Sequence, residues 1–240
     1  PYDPPEYYFN VYKDKHLPEA VVGEWADIHD DPEQALRPDA WRGIRSSEDI
    51  QRARAGYYGL IHHVDHQLGR LFEWLQRQRL WNDTLVIFTS DHGDMLGDHH
   101  LWRKTYAYEG SAHIPLIVKL PKSYGNQVPI VKEPVQLQDI LPTMLDVARI
   151  KVPEKVDGKS LVPLLTGEQI SWRPYVHGEH SACYADEMEV QFLTDGKMKY
   201  IWYPRTGMEQ LFNLEIDPDE QVDLSENKSY EDILEKWRMR

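Results

Sequence analysis

Two side chains that could bind a metal ion follow a short apolar run in the sequence. Residues 85–88, "LVIF", are β-branched or aromatic and are typical of a strand buried in a parallel sheet, and Asp91 and His92 come just after it. Ligands bind beyond the carboxyl ends of the strands in open α/β sheets. Carboxylates and imidazoles both ligate metals. The pattern therefore predicts Asp91 and His92 as metal ligands, with Gly93 allowing a sharp turn beside them.

A lysine follows the polar loop that starts at this pair. Lys104 comes after "GDMLGDHHLWR". Two cations repel each other, so a lysine close to a metal ion indicates an anion between them, and a tetrahedral oxyanion fits that place. An Asx turn with a surface histidine, and a solvated surface lysine, are the plainer interpretations of the same residues.

The segments on either side of this loop are expected to position it. Apolar residues recur at helical spacing over 47–79, after a serine at position 46 that can cap a helix. This helix is predicted to lead into the strand at 85–89. A second buried strand is predicted within 114–121, as a parallel neighbour of the first, and residues 1–45 are expected to be irregular with short helices. The order of these segments is typical of a layered α/β fold.

The downstream part of the chain changes in texture. A helix is predicted over 137–150, with Pro142 tolerated only in its first turn. The segment "VDGKSLVPLLTG" is expected to be a connector. From residue 174 the chain reads as short strands broken by Asp-Gly and Asp-Pro turns, which predicts a small antiparallel sheet with a terminal helix.

Composition excludes several classes of function. The chain has 240 residues and a formal net charge of −13, which disfavours nucleic acid and anionic membranes as partners. No apolar run approaches the ~20 residues that cross a bilayer. The one cysteine, Cys183, excludes an intrachain disulfide framework. The chain opens "PYDPPEYYFNVY", without an initiator methionine, and we expect it to be the C-terminal part of a longer protein.

The site segment resembles a known family. The stretch "SDHGDMLGDHHLWRKTYAYEGSAHIPLIV" is similar to the arylsulfatase-like enzymes of the alkaline-phosphatase superfamily. The similarity continues through "YYGLIHHVDHQLGRLFEWL" upstream, and through "WRPYVHGEH" and "QLFNLEIDPDE" downstream. Essentially the whole chain is covered in the right order.

The resemblance implies an α/β fold. It would be part of an alkaline-phosphatase-like three-layer α/β/α core, formed by residues 1–173, followed by a small antiparallel-sheet subdomain at 174–240. It also implies a sulfatase, which hydrolyses sulfate esters. The family's C/S-x-P-x-R motif, whose first residue becomes the formylglycine nucleophile, is absent from these residues. Formylglycine is therefore expected in a missing N-terminal half, and the 240 residues alone are expected to be inactive.

The resemblance assigns roles to individual residues. Asp91 and His92 match the family's metal ligands, and Lys104 matches its sulfate-contacting lysine, with a catalytic role. His100 and His113 are further candidates for substrate contact. The histidines on the long helix, by contrast, are expected to serve packing and the surface.

Metal, substrate and partners remain open within the family. Calcium is the first choice for the metal, and manganese or zinc would suit the imidazole ligand better. The substrate would be a sulfate ester of a small molecule or a glycan. The Asp-His pair is also similar to phosphonate monoester hydrolases, so phosphonate or phosphate ester hydrolysis is one alternative, and non-catalytic binding of sulfated glycans is another. The missing N-terminal half is the expected partner. The location is not given by these residues, and the family resemblance is compatible with a periplasmic or secreted one.

Overall fold

A computed structural model describes residues 2–240 of the chain. Its α-helices, labelled α1 to α7 in chain order, are Glu6–Tyr12, Pro32–Ala35, Ser47–Arg77, Glu109–Ala112, Ile140–Val147, Val162–Thr166 and Glu231–Arg238. Its strands, labelled β1 to β6, are Val86–Thr89, Leu116–Lys119, Val176–His180, Val190–Thr194, Met198–Tyr203 and Met208–Asn213. Short 3₁₀ helices are Ala26–His29, Trp81–Asp83, Asp98–His100, Lys122–Tyr124, Leu137–Asp139, Asp186–Met188 and Lys228–Tyr230. Within residues 2–240 there is no helix that combines the length and the apolarity of a membrane span.

The chain forms two compact units. The first contains the chain up to Trp81, the segment His92–His113 and the short segment Asp219–Asp223. The second contains Asn82–Asp91, Ile114–Pro218 and Leu224–Arg240. The division at residue 173, which follows the family's domain organisation, stays a prediction.

The long helix α3 dominates the first unit, and the prediction of a helix over 47–79 is confirmed. Ser46 caps it by accepting a hydrogen bond at 3.1 Å from the backbone N–H of Asp49. One face of α3 carries buried residues and packs against α1. Another face carries an apolar stripe, here called the α3 stripe, whose members are each about half exposed: Ile61, Val64, Leu71 and Trp74.

The prediction that the two strands near the site are parallel is wrong. β1 and β2 pair antiparallel, with Thr89 opposite Leu116 and Val86 opposite Lys119. The end of β1 and the start of β2 therefore lie side by side, at the same end of the two-stranded sheet. A parallel connection needs a crossover, usually a helix that runs back along the sheet, and the helix between these strands, α4, has only four residues. Phe88 and Ile117 also remain exposed, so β1 is not buried on both faces.

A small apolar core forms around α6 in the second unit. Its buried members are Leu120, Leu161, Val162, Leu164 and Leu165. The segment expected to be a connector thus contains a helix. It begins with a proline in its first turn and ends at Gly167, whose φ of 77° is left-handed and whose N–H bonds the Leu164 carbonyl at 3.2 Å.

The helix predicted over 137–150 is present in shorter form as α5, and Pro142 lies in its first turn as required.

A buried ion pair holds the turn that precedes α5. The Asp139 carboxylate is fully buried and accepts two hydrogen bonds of 2.6 Å from the guanidinium of Arg173. It also accepts from the backbone N–H groups of Gln136 and Lys159.

The predicted C-terminal sheet is confirmed. β3, β4, β5 and β6 pair antiparallel in that order. Helix α7 supplies Leu234 and Trp237 to the core cluster that contains Tyr200 and Leu211 of the sheet. The prediction of a terminal helix is also confirmed.

Candidate functional site

The segment after β1 brings the predicted metal ligands to the start of a long irregular loop. Asp91 is exposed at a bend directly after the strand, and His92 is half-buried. The backbone of Gly93 lies directly against that of α4, and its N–H donates a hydrogen bond to the Ser111 carbonyl at 2.8 Å. A Cβ at Gly93 would collide with the carbonyl oxygen of Gly110. The glycine is therefore needed for a close approach of two backbones.

The imidazole of His92 is held in one tautomer. Its Nδ1 lies 2.7 Å from the carbonyl oxygen of Gly93. A carbonyl oxygen can only accept, so Nδ1 donates in this contact, and in a neutral ring the lone pair then lies on Nε2. A second-sphere carbonyl of this kind commonly orients a metal-binding histidine. A carboxylate oxygen, as at Asp91, and an imidazole nitrogen, as at His92, are each donor types that divalent metal ions accept.

A third acidic residue, Asp94, organises the loop that follows. One of its oxygens accepts from the backbone N–H of Leu96 at 3.0 Å and from that of Arg103 at 3.1 Å. The hydroxyl of Tyr2 lies 2.9 Å from both oxygens. Burial, and then the charge of Asp94, raise the pKa of Tyr2, so this hydroxyl stays a proton donor. Asp94 was not singled out from the sequence, where its contacts with distant residues leave no local pattern.

The loop between Asp94 and Thr105 has an unusual backbone. Its non-glycine residues with left-handed φ are Leu96 (49°), His99 (53°), His100 (62°), Arg103 (70°) and Thr105 (84°). Each such residue costs about 1–2 kcal/mol relative to the right-handed form. Strain of this density persists only where surrounding contacts enforce it, and it is common at functional sites.

Buried contacts from outside the loop enforce this backbone. Arg54 of α3 is 7% exposed and donates to the Leu96 carbonyl at 3.2 Å and to the Asp98 carboxylate at 2.6 Å. His99 is also buried. Its Nδ1 accepts from the Gly23 N–H at 3.0 Å, and its ring lies 4.7 Å from that of Trp25. His99 therefore anchors the loop and does not face a substrate.

A cleft of about 860 Å³ opens beside the loop, within the first unit. His92 and Lys104 both line it, together with Asp94 and Arg103. Its other lining residues are Tyr2, Asp3, Pro4, Glu6, Phe9, Pro38, Ala40, Arg45, Asp49, Arg52, Ala53 and Trp102. Lys104 is exposed, and no ion pair of its ammonium occurs within residues 2–240. The cleft thus presents an ammonium group and an imidazole to the same space.

The two weaker candidates lie elsewhere. The His113 side chain is 74% exposed, at the end of α4, and its Nδ1 is 2.5 Å from the Glu109 carboxylate. His100 is half-buried, and its carbonyl accepts from the Gly43 N–H at 2.8 Å. Neither lines the cleft. Their contact with substrate stays a prediction.

The described part of the chain, residues 2–240, contains no group of three or more His, Cys, Asp or Glu side chains arranged to hold a metal ion. Asp91 and His92 would therefore be a partial ligand set. Water or residues beyond those described would complete the coordination of a calcium ion, which takes six to eight oxygen ligands.

Comparison with known proteins identifies the family. The sulfatase family model matches residues 3–150, and the model "N-sulphoglucosamine sulphohydrolase, C-terminal" matches residues 97–240. The chain is 39% identical over 240 residues to an arylsulfatase of Clostridium perfringens. The alignment covers 99% of this chain and 49% of that protein. It is 35% identical over 233 residues to a choline-sulfatase of Rhizobium meliloti, covering 95% and 44% of the two chains.

Solved structures agree with this assignment. A phosphonate monoester hydrolase from Silicibacter pomeroyi superposes with a TM-score of 0.80 at 28% identity, covering 99% of this chain and 52% of that one. The chain spans about half the length of the curated relatives that it matches. The two family models together extend from residue 3 to residue 240, and on this evidence the chain belongs to the sulfatase family, with an alkaline-phosphatase-like α/β fold.

Proposed function

We propose that this chain is the C-terminal portion of an enzyme that hydrolyses sulfate esters. The main support is that His92 and Lys104, separated by a long loop in the sequence, line one cleft. Relatives named arylsulfatase and choline-sulfatase, which match nearly the whole chain, support the same reaction. The substrate would be the sulfate ester of a small molecule or a glycan.

The metal ion is proposed to bind Asp91 and His92, with calcium as the first choice and manganese or zinc as alternatives. When bound, a divalent ion would withdraw charge from the sulfate oxygens. The Gly93 carbonyl would keep His92 in the tautomer that offers Nε2 as a ligand. Asp91 would supply an anionic oxygen, the donor type that calcium prefers.

Lys104 is proposed as the catalytic cation. Its ammonium is exposed in the cleft, where it can contact an oxyanion without first breaking an ion pair. Charge builds on the nonbridging and leaving oxygens as the ester bond breaks, so a positioned ammonium would stabilise the transition state more than the ground state. The strained backbone at Arg103 and Thr105 on either side of Lys104 would fix that position.

The missing N-terminal half is proposed to complete the enzyme. It would carry the formylglycine nucleophile, because the C/S-x-P-x-R motif does not occur in these 240 residues. It would also cover the α3 stripe, since half-exposed residues such as Ile61, Val64 and Trp74 form a contiguous apolar face on one helix. The 240 residues alone are therefore proposed to be inactive and prone to aggregate.

Phosphonate or phosphate ester hydrolysis is the second candidate function. It is favoured by the TM-score of 0.80 with a phosphonate monoester hydrolase, at an identity of 28%. Sulfate and phosphonate groups are both tetrahedral oxyanions, so Lys104 and the metal ligands would act in the same way on either. Non-catalytic binding of a sulfated glycan would use the same cleft without a nucleophile.

Substrate ratios test the proposal. The full-length protein would be assayed with an aryl sulfate and with a phosphonate monoester that share one leaving group. The proposed function predicts a higher kcat/KM for the sulfate. A higher value for the phosphonate would favour the second candidate, and no turnover of either, in a protein without a C/S-x-P-x-R motif, would favour the glycan binder.

A further inference from the structure

A cluster of histidine and tyrosine side chains lies on α3, on the side that faces α1. His62 and His66 are one helical turn apart, with ring centroids separated by 4.6 Å. The hydroxyl of Tyr8 in α1 is 3.0 Å from Nδ1 of His66. The ring centroid of Tyr8 also lies 5.2 Å from that of His62. The cluster is separate from the α3 stripe and does not line the cleft.

The spacing of the two histidines suits a shared metal ion. Residues at i and i+4 on a helix project from the same face, and paired histidines at this spacing bind zinc in known helical motifs. Two imidazoles that bind one tetrahedral zinc ion through nitrogens at about 2.0–2.1 Å have ring centroids roughly 5 Å apart. The observed separation is 4.6 Å, with the ring planes inclined by 69°, so a modest movement of one ring would bring both to the distance of a shared ion.

The hydrogen bonding of each ring leaves a nitrogen for the ion. Tyr8 occupies Nδ1 of His66, so Nε2 of that ring is the nitrogen available to a ligand. The Nδ1 atom of His62 is buried and has no hydrogen-bond partner among residues 2–240. A buried polar nitrogen without a partner is unfavourable, and a bound cation would satisfy it.

We propose that His62 and His66 form a second metal site, distinct from Asp91 and His92, that binds a divalent transition-metal ion of the zinc class. Two imidazoles select zinc-class ions over calcium, which prefers oxygen ligands. Water fills the remaining coordination positions from the side of His66, which is exposed, because residues 2–240 offer no group of three or more metal-binding side chains. Tyr8 orients His66 in the same way that a second-sphere partner orients other metal-bound histidines.

Zinc titration of the full-length enzyme tests this site. Calcium is kept in excess to saturate oxygen-rich sites, and Zn²⁺ binding is measured by calorimetry for the wild type and for the His62→Gln, His66→Gln double variant. We expect the wild type to bind one more zinc ion than the double variant. Equal zinc binding by both proteins would overturn the proposal.

Single variants test which side chains bind the zinc ion. His62→Gln and His66→Gln should each remove the additional zinc ion, whereas His63→Gln, the same change at the adjacent position, should retain it. Tyr8→Phe should weaken the affinity about 10-fold without abolishing binding. Loss of the ion in His63→Gln would contradict the assignment to the pair. Circular dichroism checks folding, and since His66 is exposed, His66→Gln decides the question if the double variant unfolds.

Discussion

The loop Asp94–Thr105 and the sheet β3–β6 are organised in opposite ways. The loop has five non-glycine residues with left-handed φ, and side chains from distant segments such as Tyr2 and Arg54 hold it in place. The sheet has regular pairing between strands that follow one another in the chain. Its stability comes from buried apolar residues such as Leu211 and Phe212. The difference indicates that the sheet serves stability and the loop serves the cleft.

The largest expected effect on stability is in the sheet. Leu211 is fully buried, so Leu211→Ala should lower the free energy of unfolding by about 2–5 kcal/mol, through lost burial and a residual cavity. The value of kcat per folded molecule should not change. Leu36→Ala is the matched control, because Leu36 is 87% exposed and should have no measurable effect. Denaturant unfolding and active-site-normalised rates would check both results.

The largest expected effect on activity alone is at Lys104. Lys104→Ala should lower kcat/KM by ~10²-fold or more, the scale for loss of one preorganised charged donor. Its melting temperature should stay unchanged, because the ammonium has no ion pair within residues 2–240 to lose. Lys197→Ala, which removes an exposed lysine paired with Glu215 beside the sheet, should change neither quantity. Unaltered steady-state kinetics in Lys104→Ala would make Lys104 a solvated surface charge.

Substitution of two aspartates that make similar contacts, one in the loop and one in the sheet, compares the two regions directly. Asp94 and Asp195 each accept hydrogen bonds from two backbone N–H groups, in the loop and in a turn of the sheet. Asp94→Ala should cost about 1–3 kcal/mol of stability and about 10-fold in kcat/KM, because the strained backbone beside Lys104 would relax. Asp195→Ala should cost about 1 kcal/mol and leave kcat/KM intact. Equal kinetic effects in the two variants would remove the distinction between loop and sheet.

The stability of the chain is also expected to depend on pH through the buried imidazole of His29. Burial first, and then the charges of Arg42, His99 and His100, lower the pKa of His29 from 6.5 to about 3. The unfolded chain binds the proton more readily, so stability is fully present above pH 6.5 and falls by about 1.4 kcal/mol for each pH unit below it, down to pH 3.

Thermal unfolding at pH 7.5 and pH 5.5 measures this contribution. His29→Leu should remove about 1.4 kcal/mol of the stability lost between those two values, since one pH unit of the interval lies below 6.5. His16→Leu is the control, because the His16 side chain is 83% exposed. An unchanged pH dependence in His29→Leu would show that the buried imidazole is not the source.

Much of the fold could be predicted because its signals are local. The cap at Ser46 and the helical spacing that follows it identify α3, and the turn residues after 174 identify the sheet. The direction of β2 could not be predicted, because apolar residues in a short strand suit either direction and the returning chain decides between them. α6 is hard to predict because the proline in its first turn and the glycine after its end are loop signals as well as cap signals.

The candidate site could be predicted only in part. His92 and Lys104 stand out by residue type after a strand, and both line the cleft. Asp94 and Arg54 did not stand out, because their contribution is a set of hydrogen bonds to residues far away in the chain. The sequence pattern of the histidine pair of α3 indicates only packing and surface roles, since the position of Tyr8 is needed to show how the rings are held.

Metal analysis of Asp91→Ala tests the central claim most directly. In the full-length enzyme, purified with calcium and then dialysed, the bound metal and the rate of sulfate ester hydrolysis would be measured together. The proposed site predicts that Asp91→Ala loses the metal and nearly all turnover, while Asp186→Ala, the same change in a short 3₁₀ helix of the second unit, retains both. Full metal occupancy and normal turnover in Asp91→Ala would contradict the account.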